Sequence, residues 1–555
     1  MEKILNWVKK NTGLIVIILG SFSWLLTIFK SGLRYGYGLG FWGANGHDGI
    51  WHIALSSNLS NLNFENPVFA GEKIKNYHIG FDLILGLISK ITQIPLVNLY
   101  FQVLPVILSL AIGILTYQFV ENWTKSKSKA FLSTLFVYLG GSMSWILGKG
   151  ESAFWSAQSI STLINPPFSL SVVIMLLGFL MLLKKKNISA AIFFGLLIFI
   201  KVYAGLLMLA GLFIASVYEY FVDKKTDIFK VFILSLVISI LLFVPFNINS
   251  TGLIKFQPFW FLETMMSYSD RLGWQKYYSA MTNYKLGEVY LKYLASYAFA
   301  FLIFIIGNFW TRLVFLKNIF SKLDTIKVIL LTIVAAGVVV PTFFVQEGTP
   351  WNTIQFIYYS LFFAGILAGT TLSEIYQKGK LAKFFTVVLI LLTLPTTIIT
   401  LKEVYMPMRA PAKLTYLELD ALNFLKKQPK GVVLTYPFDK YKAEEAASNP
   451  PRPLYLYDST AYVSAFSGKT VYLEDEVNLN ILNYNWQERR ELVLNWYKEA
   501  DSQKARDFLS KNNIKYVYWL NGQRALLGEG QLGLKKIFEN KEVIIYEYGS
   551  SFSNN

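Results

Sequence analysis

The sequence predicts a mainly α-helical, polytopic membrane protein with about 12–13 transmembrane helices and a soluble α/β domain at its C-terminal end. Of the 555 residues, 54% are hydrophobic and 16% are aromatic, and long apolar runs recur from residue 13 to residue 401. Each run is close to the ~20 residues that a helix needs to cross a ~30 Å hydrocarbon layer. After residue 401, short strand-like and helix-like segments alternate instead, which predicts the α/β domain.

The membrane domain is predicted over residues 1–401 and contains about twelve hydrophobic segments. These run approximately over 13–29, 79–92, 97–120, 129–147, 168–183, 188–202, 203–221, 229–248, 288–312, 326–345, 353–373 and 381–401. The first segment follows Lys9 and Lys10 and has no small-residue cleavage site after it. This pattern indicates an uncleaved first span rather than a signal peptide.

The distribution of charge argues against a nucleic-acid partner. The net charge is +17, but residues 408–555 hold 20 basic and 18 acidic residues, so +15 belongs to the membrane half. There the lysines form short clusters between apolar segments, which is the pattern of cytoplasmic loops rather than of a phosphate-binding stripe.

The lysine clusters also predict an orientation. They place the N-terminus in the cytoplasm and put the loops 30–78, 148–167, 250–287 and 346–352 outside, together with everything after residue 401. The cluster Lys125, Lys127 and Lys129 conflicts with simple alternation of the spans. We therefore expect an odd number of membrane crossings and an extracytoplasmic C-terminal domain. The additional crossing, beyond the twelve segments, is expected between residues 79 and 165.

The C-terminal domain is predicted over residues 402–555. Strands are expected at 431–437, 470–474, 514–520 and 542–548, where β-branched and aromatic residues dominate. Helices are expected at 417–428 and 500–513, where apolar residues recur at helical spacing.

All three histidines of the chain, His47, His52 and His78, fall between the first two hydrophobic segments, close to Asp48 and Asp82. Imidazoles beside carboxylates are the groups that acid–base and metal chemistry use near neutral pH. A divalent metal, Mn or Mg, held by His47, Asp48, His52 and His78 is a candidate cofactor, although their spacing is not a standard ligand pattern. The alternative is an ordinary polar loop. With no cysteine, disulfides and thiolate metal sites are excluded.

The segment after Gly46 predicts a helix from Asp48 to about Leu59. Trp51, Leu55 and Leu59 recur at helical spacing, which predicts a face lying on the bilayer interface. Asp48 and His52 share another face, and a carboxylate at a helix N-terminus tends to stay ionised. Asp48 therefore suits a catalytic base or a metal ligand; the alternative is a helix cap.

Tyr77 and His78 end this first outside loop, and Asp82 lies one turn into the predicted second span. His78 and Asp82 share a helix face. A carboxylate just inside an apolar span is costly and is usually functional or paired. Both readings stay open: a functional pair, or a structural pair that holds the end of the span in register.

Polar residues elsewhere on the predicted outer side are further candidates for substrate binding. Glu151 lies in the second outside loop and Arg271 in the third. An arginine can donate two parallel hydrogen bonds to the oxygens of a phosphate. Glu347 lies in the fourth loop, and Asn352 and Gln355 follow it, forming with Tyr359 a polar stripe on one helix face. Such a stripe usually faces a cavity or another helix.

One basic residue interrupts the long apolar run over 188–221. If Lys201 is buried, it can neutralise a phosphate. If it lies at a turn between two spans, it has no such role.

Taken together, these features resemble the GT-C superfamily of integral-membrane glycosyltransferases. The resemblance covers the architecture of the whole chain, and at motif level it depends on "HDG" at residues 47–49 and on the His and Asp residues beside the second segment. It implies a sugar donor on a polyprenyl phosphate, an active site open to the outside and a glycan, lipid or protein acceptor. No subfamily is assigned.

The resemblance also implies roles for residues. Asp48 would be the general base, with His47 and His78 beside it in the catalytic site, and cations such as Arg271 or Lys201 would stabilise the leaving lipid phosphate. The residues expected to bind substrate are His52, Tyr77, Asp82, Glu151, Lys201, Arg271, Glu347, Asn352 and Gln355. Two other functions remain open: a transporter or flippase of lipid-linked sugars, and a non-catalytic protein of cell-envelope assembly.

Overall fold

The computed structural model describes residues 11–247 and 254–549, and the chain forms two compact units. The first, here the transmembrane unit, comprises Met1–Thr27 and Pro105–Met406. The second, here the mixed unit, comprises Ile28–Leu104 and Pro407–Asn555. The predicted division at residue 401 stays a prediction.

The predicted polytopic helical fold is confirmed. Among the described residues, nine helices are long and apolar enough to cross a membrane. They are Leu96–Thr124, Lys127–Leu147, Pro166–Leu183, Val202–Asp223, Asp227–Asn247, Tyr290–Phe320, Thr325–Phe343, Pro350–Tyr376 and Lys380–Tyr405. Two shorter apolar helices are Thr12–Leu25 and Asn187–Ile200.

The predicted span at 79–92 is not among these helices. The structure has a helix of 13 residues there, Gly80–Thr92. At ~1.5 Å per residue it is too short to cross a ~30 Å hydrocarbon layer. The prediction of a span at this position is therefore wrong.

Several of the spans consist of an α-helix that is extended at one end by a 3-10 or a π-helical turn. The α-helices of the transmembrane unit that lie within the spans are Leu104–Thr124, Lys127–Leu139, Pro166–Leu183, Val202–Tyr218, Asp227–Asn247, Tyr290–Phe309, Thr325–Phe343, Gln355–Tyr376 and Lys380–Thr400. The turns are Ser144–Leu147, Glu219–Asp223, Trp310–Phe320, Pro350–Ile354 and Leu401–Tyr405. Small residues allow the helices to approach closely: a Cβ on Gly369 would lie 2.2 Å from the backbone nitrogen of Ser133.

Short elements connect the spans of the transmembrane unit. The helices Trp260–Ser267 and Gln275–Leu286 lie in the predicted third outside loop, and a 3-10 turn, Ser159–Ile164, lies in the second. The strands Ile254–Phe256 and Phe344–Gln346 pair antiparallel. The predicted orientation depends partly on Lys3, Lys9 and Lys10, which lie outside the described residues, and it stays a prediction.

A four-stranded sheet forms the centre of the mixed unit. Its strands are Val432–Thr435, Ile514–Leu520, Val543–Tyr548 and Leu534–Glu539, in that order across the sheet. The first pair is parallel and the other two pairs are antiparallel. Three of the four predicted strands are confirmed. The fourth, 470–474, is wrong: only Val471 forms an isolated bridge, to Val433.

The helices predicted in the C-terminal region are also confirmed, as Tyr416–Lys427 and Ser502–Lys511. The other helices of the mixed unit are Asp48–Leu59, Gly80–Thr92, Leu96–Asn98, Lys440–Ala447, Tyr462–Ser467, Glu476–Ile481, Trp486–Lys498 and Glu529–Leu532. Shorter turns are Gly43–Gly46, Leu99–Val103 and Leu454–Leu456.

A second sheet joins the two stretches of sequence that make up the mixed unit. Its strands run in the order Arg34–Tyr35, Gly38–Phe41, Ala412–Leu414 and Arg452–Pro453. Leu39 pairs with Leu414 and Phe41 pairs with Ala412 in antiparallel register. Strand Gly38–Phe41, which is buried throughout, leads directly into the histidine-bearing segment, so this pairing fixes the chain before His47.

Candidate functional site

The helix predicted at the histidine cluster is present, from Asp48 to Leu59. Ten of its twelve residues are buried. Trp51, Leu55 and Leu59 are all inside the protein, so the prediction that they lie on the bilayer interface is wrong. The helix packs against Gly80–Thr92 and Tyr462–Ser467, and its apolar residues meet those neighbours instead of lipid.

Asp48 and His47 form an accessible pair at the start of this helix. His47 Nδ1 lies 2.8 Å from Asp48 Oδ1, and the two side chains are 32% and 55% exposed. Asp48 is the first helical residue, where the helix dipole favours a negative charge. The pair therefore presents a carboxylate to solvent with an imidazole fixed beside it.

Two further carboxylates act on this pair. Burial lowers the pKa of His47, but the charge of Asp48 and its hydrogen bond, followed by the charges of Asp475 and Asp458, outweigh burial and raise it. Burial, with the nearby Asp48 charge as a smaller cause, raises the pKa of Asp475 to about 7. His47, Asp48, Asp458 and Asp475 thus form one electrostatic group, here called the acidic cluster.

The sequence analysis missed Asp458 and Asp475. Asp475 is the N-cap of helix Glu476–Ile481, in the left-handed region at φ 54°, and accepts hydrogen bonds from the backbone nitrogen and Nδ2 of Asn478 at 3.0 and 2.9 Å. The only signal in the sequence is the acidic run over residues 474–476, which reads equally well as a solvated turn. Its proximity to Asp48 is a property of the tertiary fold.

His52 and Asp82 form a second, buried pair. His52 Nδ1 lies 2.8 Å from Asp82 Oδ1, and the Asp82 side chain has no exposure. The His52 ring stacks on Tyr100 and contacts Phe81 edge-on. The sequence predicted His78 as the partner of Asp82. In the structure, His52 is also a partner of Asp82. This burial favours a structural role that joins helices Asp48–Leu59 and Gly80–Thr92.

Tyr77 and His78 are half-buried beside the same helix. Their rings stack at 4.5 Å between centroids, and the Tyr77 hydroxyl accepts a hydrogen bond from Trp51 Nε1 at 3.3 Å. His78 precedes helix Gly80–Thr92, so the predicted shared helix face of His78 and Asp82 is wrong.

Glu151 belongs to a polar network in the transmembrane unit. Its carboxylate accepts hydrogen bonds from Ser161 Oγ at 2.5 Å and from the backbone nitrogen of Gln158 at 3.1 Å. Burial raises the pKa of Glu151 to about 7. Gln158 Oε1 in turn accepts a hydrogen bond from Arg312, whose side chain is completely buried. The sequence analysis missed Arg312 because it ends an otherwise apolar segment.

Arg271 and Glu347 differ in their surroundings. The Arg271 guanidinium stacks over Trp155 at 4.3 Å and pairs with Asp270 at 3.1 Å, and its side chain is 19% exposed. Glu347 pairs with Lys255 at 2.5 Å, and both side chains are about half exposed. Arg271 therefore has the fixed geometry of a binding group, whereas Glu347 lies in a solvated ion pair.

Lys201 is buried where the helices Asn187–Ile200 and Val202–Tyr218 meet. Its backbone is extended, and its Nζ lies 3.5 Å from Asn165 Oδ1. Asn165 Nδ2 donates to Gln355 Oε1 at 3.3 Å, and Gln355 Nε2 donates to Asn352 Oδ1 at 3.3 Å. Three of the predicted residues thus form one hydrogen-bonded chain, which borders a small pocket lined by Asn165.

The polar stripe that begins at Asn352 also contacts another helix, as predicted. The hydroxyl of Tyr359 lies 2.7 Å from Ser171 Oγ on helix Pro166–Leu183.

The candidate residues do not fit a metal site. Within residues 11–247 and 254–549, no group of three or more His, Asp or Glu side chains has the geometry to hold a metal ion. Nδ1 of His47 faces Asp48, and Nδ1 of His52 faces Asp82. We therefore assign no ligands to the predicted Mn or Mg and derive no step through a metal.

Comparison with known proteins identifies the fold. No protein-family model matches the chain, and no curated protein matches it. The apo Archaeoglobus fulgidus oligosaccharyltransferase matches at a TM-score of 0.51 and 13% identity, over 93% of this chain and 70% of that one. The same enzyme in complex with Zn and sulfate matches at 0.50 and 15%, over 91% and 67%.

A third match is a variant of the arabinofuranosyltransferase AftD from Mycobacteria. Its TM-score is 0.50 at 10% identity, over 98% of this chain and 42% of that one. These proteins are GT-C glycosyltransferases. The resemblance inferred from the sequence is therefore confirmed at the level of the fold: this chain has the GT-C architecture.

Proposed function

We propose that the protein is a membrane glycosyltransferase that moves a sugar from a polyprenyl-phosphate donor to an acceptor on the extracytoplasmic face, with Asp48 as general base. One observation carries the proposal. In a chain with the GT-C fold, Asp48 is a solvent-accessible carboxylate at the start of a buried helix, with its orientation fixed by His47 at 2.8 Å.

The proposed reaction is a displacement at the anomeric carbon of the donor sugar. Asp48 accepts the proton of an acceptor hydroxyl as that oxygen forms its bond to the anomeric carbon. The bond between this carbon and the phosphate oxygen breaks, and polyprenyl phosphate leaves with the electron pair. Asp48 then releases its proton to solvent, which its exposure allows.

The neighbours of Asp48 have positioning roles in this proposal. His47 donates its Nδ1–H to the carboxylate and orients it, and Asp458 and Asp475 favour the charged form of His47. His78 remains a proposed member of the site, placed by its stacking on Tyr77. His52 and Asp82 support the helix from within the mixed unit.

Cations of the transmembrane unit are proposed to bind the donor phosphate. The Arg271 guanidinium lies over the Trp155 ring at 4.3 Å, and a guanidinium can donate two parallel hydrogen bonds to phosphate oxygens. Lys201 is buried with its Nζ 3.5 Å from Asn165 Oδ1, and its ammonium is proposed to bind a phosphate oxygen of the donor. Glu151, Glu347 and Asn352 remain proposed substrate-binding residues.

The experiment measures transfer from a panel of radiolabelled polyprenyl-phosphate hexoses and pentoses, using the full chain in membranes that contain the native acceptors. We expect Asp48→Asn to lower transfer about 100-fold or more, the usual contribution of a general base. Asp227→Asn is the matched control, because Asp227 also begins a helix and is exposed. Unchanged transfer by the Asp48→Asn protein would remove Asp48 from this role.

A further inference from the structure

The mixed unit contains an open cavity whose empty volume is about 680 Å³. Its walls come from the ends of the strands Val432–Thr435 and Ile514–Leu520 and from the loops that follow residues 435, 455 and 473. Aromatic rings and acidic side chains dominate the lining. The aromatic residues are Tyr436, Phe438, Tyr455, Tyr457, Tyr462 and Tyr518.

Acidic groups outnumber basic ones in the lining, and burial raises the pKa of two of them, Glu474 to about 8 and Asp475 to about 7. Five acidic residues and a single lysine, Lys442, line the cavity. The acids are Asp439, Asp458, Glu474, Asp475 and Glu476. Among the ion pairs of the described residues, one involves an acid of this lining, and it joins Glu476 to Arg490. A phosphate would meet more acidic than basic groups here, so the cavity suits an uncharged or cationic ligand better than the lipid-phosphate end of a donor.

The lining includes the buried hydroxyl of Thr460. Thr460 is 5% exposed, and its Oγ1 has no hydrogen-bond partner among the described residues. Because an unsatisfied buried hydroxyl costs free energy, this group indicates a ligand that supplies the missing hydrogen bond. Of the five acidic residues, only Asp458 lies on the same loop as Thr460.

The tyrosines supply flat apolar surfaces beside these polar groups. Tyr436 is 36% exposed, and its ring packs against Tyr497 at 4.7 Å between centroids. Tyr457 is covered by the guanidinium of Arg452 at 3.6 Å. Accessible aromatic rings together with a few convergent polar groups are typical of small-molecule sites.

From this combination we infer that the cavity binds the carbohydrate part of the acceptor, as a neutral or amino sugar without negative charge. Sugar hydroxyls donate to carboxylates and pair with a threonine hydroxyl, while the C–H faces of a sugar ring pack on tyrosine. The inference deepens the proposed function and rests on it, because it names the acceptor of the same reaction.

The acidic cluster connects this cavity to the proposed base. Asp458 and Asp475 line the cavity, and the same two carboxylates act electrostatically on His47. His47 in turn contacts Asp48. The cavity and the proposed base therefore share two acidic neighbours, Asp458 and Asp475.

The test measures binding of the purified full chain to an array of neutral, amino and acidic oligosaccharides, with a peptide array alongside. We expect binding to neutral or amino glycans only. Thr460→Val and Tyr436→Leu should each weaken it at least tenfold. Thr470→Val and Tyr441→Leu are matched controls, since neither residue lines the cavity and Tyr441 is 84% exposed; both should bind as the natural chain does.

The outcomes separate this inference from the proposed function. Loss of transfer in Asp48→Asn with glycan binding retained supports both. Retained transfer in Asp48→Asn, with glycan binding lost in Tyr436→Leu, refutes the base but supports the cavity as a carbohydrate site. Binding to acidic glycans or to peptides only, binding to no glycan, or equal glycan binding by all variants overturns the inference.

Discussion

The imidazole of His52 lies 2.8 Å from the carboxylate of Asp82, and the Asp82 side chain is completely buried. The two residues come from helices on either side of the loop that ends with His78. Because a buried carboxylate needs a partner, this contact couples the position of the helix that begins with Asp48 to that of helix Gly80–Thr92.

We predict that breaking this pair destabilises the mixed unit. His52→Leu leaves the Asp82 carboxylate buried without the imidazole, a change that costs about 3–5 kcal/mol for buried pairs. Replacing both residues by leucine should recover most of this loss. Thermal unfolding of the detergent-solubilised chain measures the effect, and a double variant as unstable as His52→Leu would contradict it.

A second prediction concerns Glu418, which is buried in helix Tyr416–Lys427. Burial, and to a smaller extent the charge of Glu542, raises the pKa of Glu418 to about 8. The stabilising contribution of its protonated form is complete below the ordinary pKa of the carboxyl group and is lost as the pH rises through 8.

Stability should therefore fall as the pH rises from about 4.5 to 8 and level off above that, by at most about 5 kcal/mol from this residue at ~1.4 kcal/mol per pKa unit. Glu418→Gln keeps the neutral form at every pH and should remove this part of the fall. Melting temperatures between pH 4 and 9 test it, with the exposed Glu445→Gln as control. A Glu418→Gln curve parallel to that of the natural chain would show that the residue does not titrate in this range.

The third prediction concerns the stacked guanidinium of Arg271. If it binds the donor phosphate, Arg271→Lys retains the charge but loses the fork and the stacking on Trp155. We expect the KM for the polyprenyl-phosphate donor to rise about tenfold, equivalent to ~1.4 kcal/mol, with a larger rise for Arg271→Ala. Equal KM values for all three proteins would exclude phosphate binding by Arg271.

The fourth prediction concerns Lys201. Lys201→Met keeps the aliphatic stem but removes the charge, so donor binding should weaken while the fold is retained. Direct binding of polyprenyl phosphate to the chain in nanodiscs measures this change. Lys322→Met serves as control, because this lysine is exposed in the turn between Trp310–Phe320 and Thr325–Phe343. If both variants bind polyprenyl phosphate as tightly as the natural chain, the proposed role of Lys201 fails.

Much of the fold could be predicted from the sequence because its signals are local. Apolar length identified the spans, and helical spacing placed the helix from Asp48 to Leu59 correctly. The same spacing could not distinguish lipid from protein as the environment of Trp51, since both are apolar. Helix Gly80–Thr92 was predicted as a span because its residues are mostly apolar. With 13 residues it is too short to cross the membrane.

The candidate site was only partly predictable because its members are far apart in sequence. The run of histidines located Asp48, but nothing local to residues 474–476 indicates that Asp475 acts on His47. Arg312 gave no signal because a single arginine at the end of an apolar segment reads as a span boundary. Its burial depends on acceptors such as Gln158 and the carbonyl oxygen of Gly141, which only the tertiary structure brings together.

The pairing of strand Gly38–Phe41 with Ala412–Leu414 has a consequence for biosynthesis. A ribosome that adds ~5–20 residues per second needs about 15–60 s to make the roughly 300 residues between the two stretches of the mixed unit. During that interval residues 28–104 have been made, while strand Ala412–Leu414 and helix Tyr462–Ser467 do not yet exist. The apolar residues of helix Asp48–Leu59 therefore lack these later neighbours until the last quarter of the chain has been made.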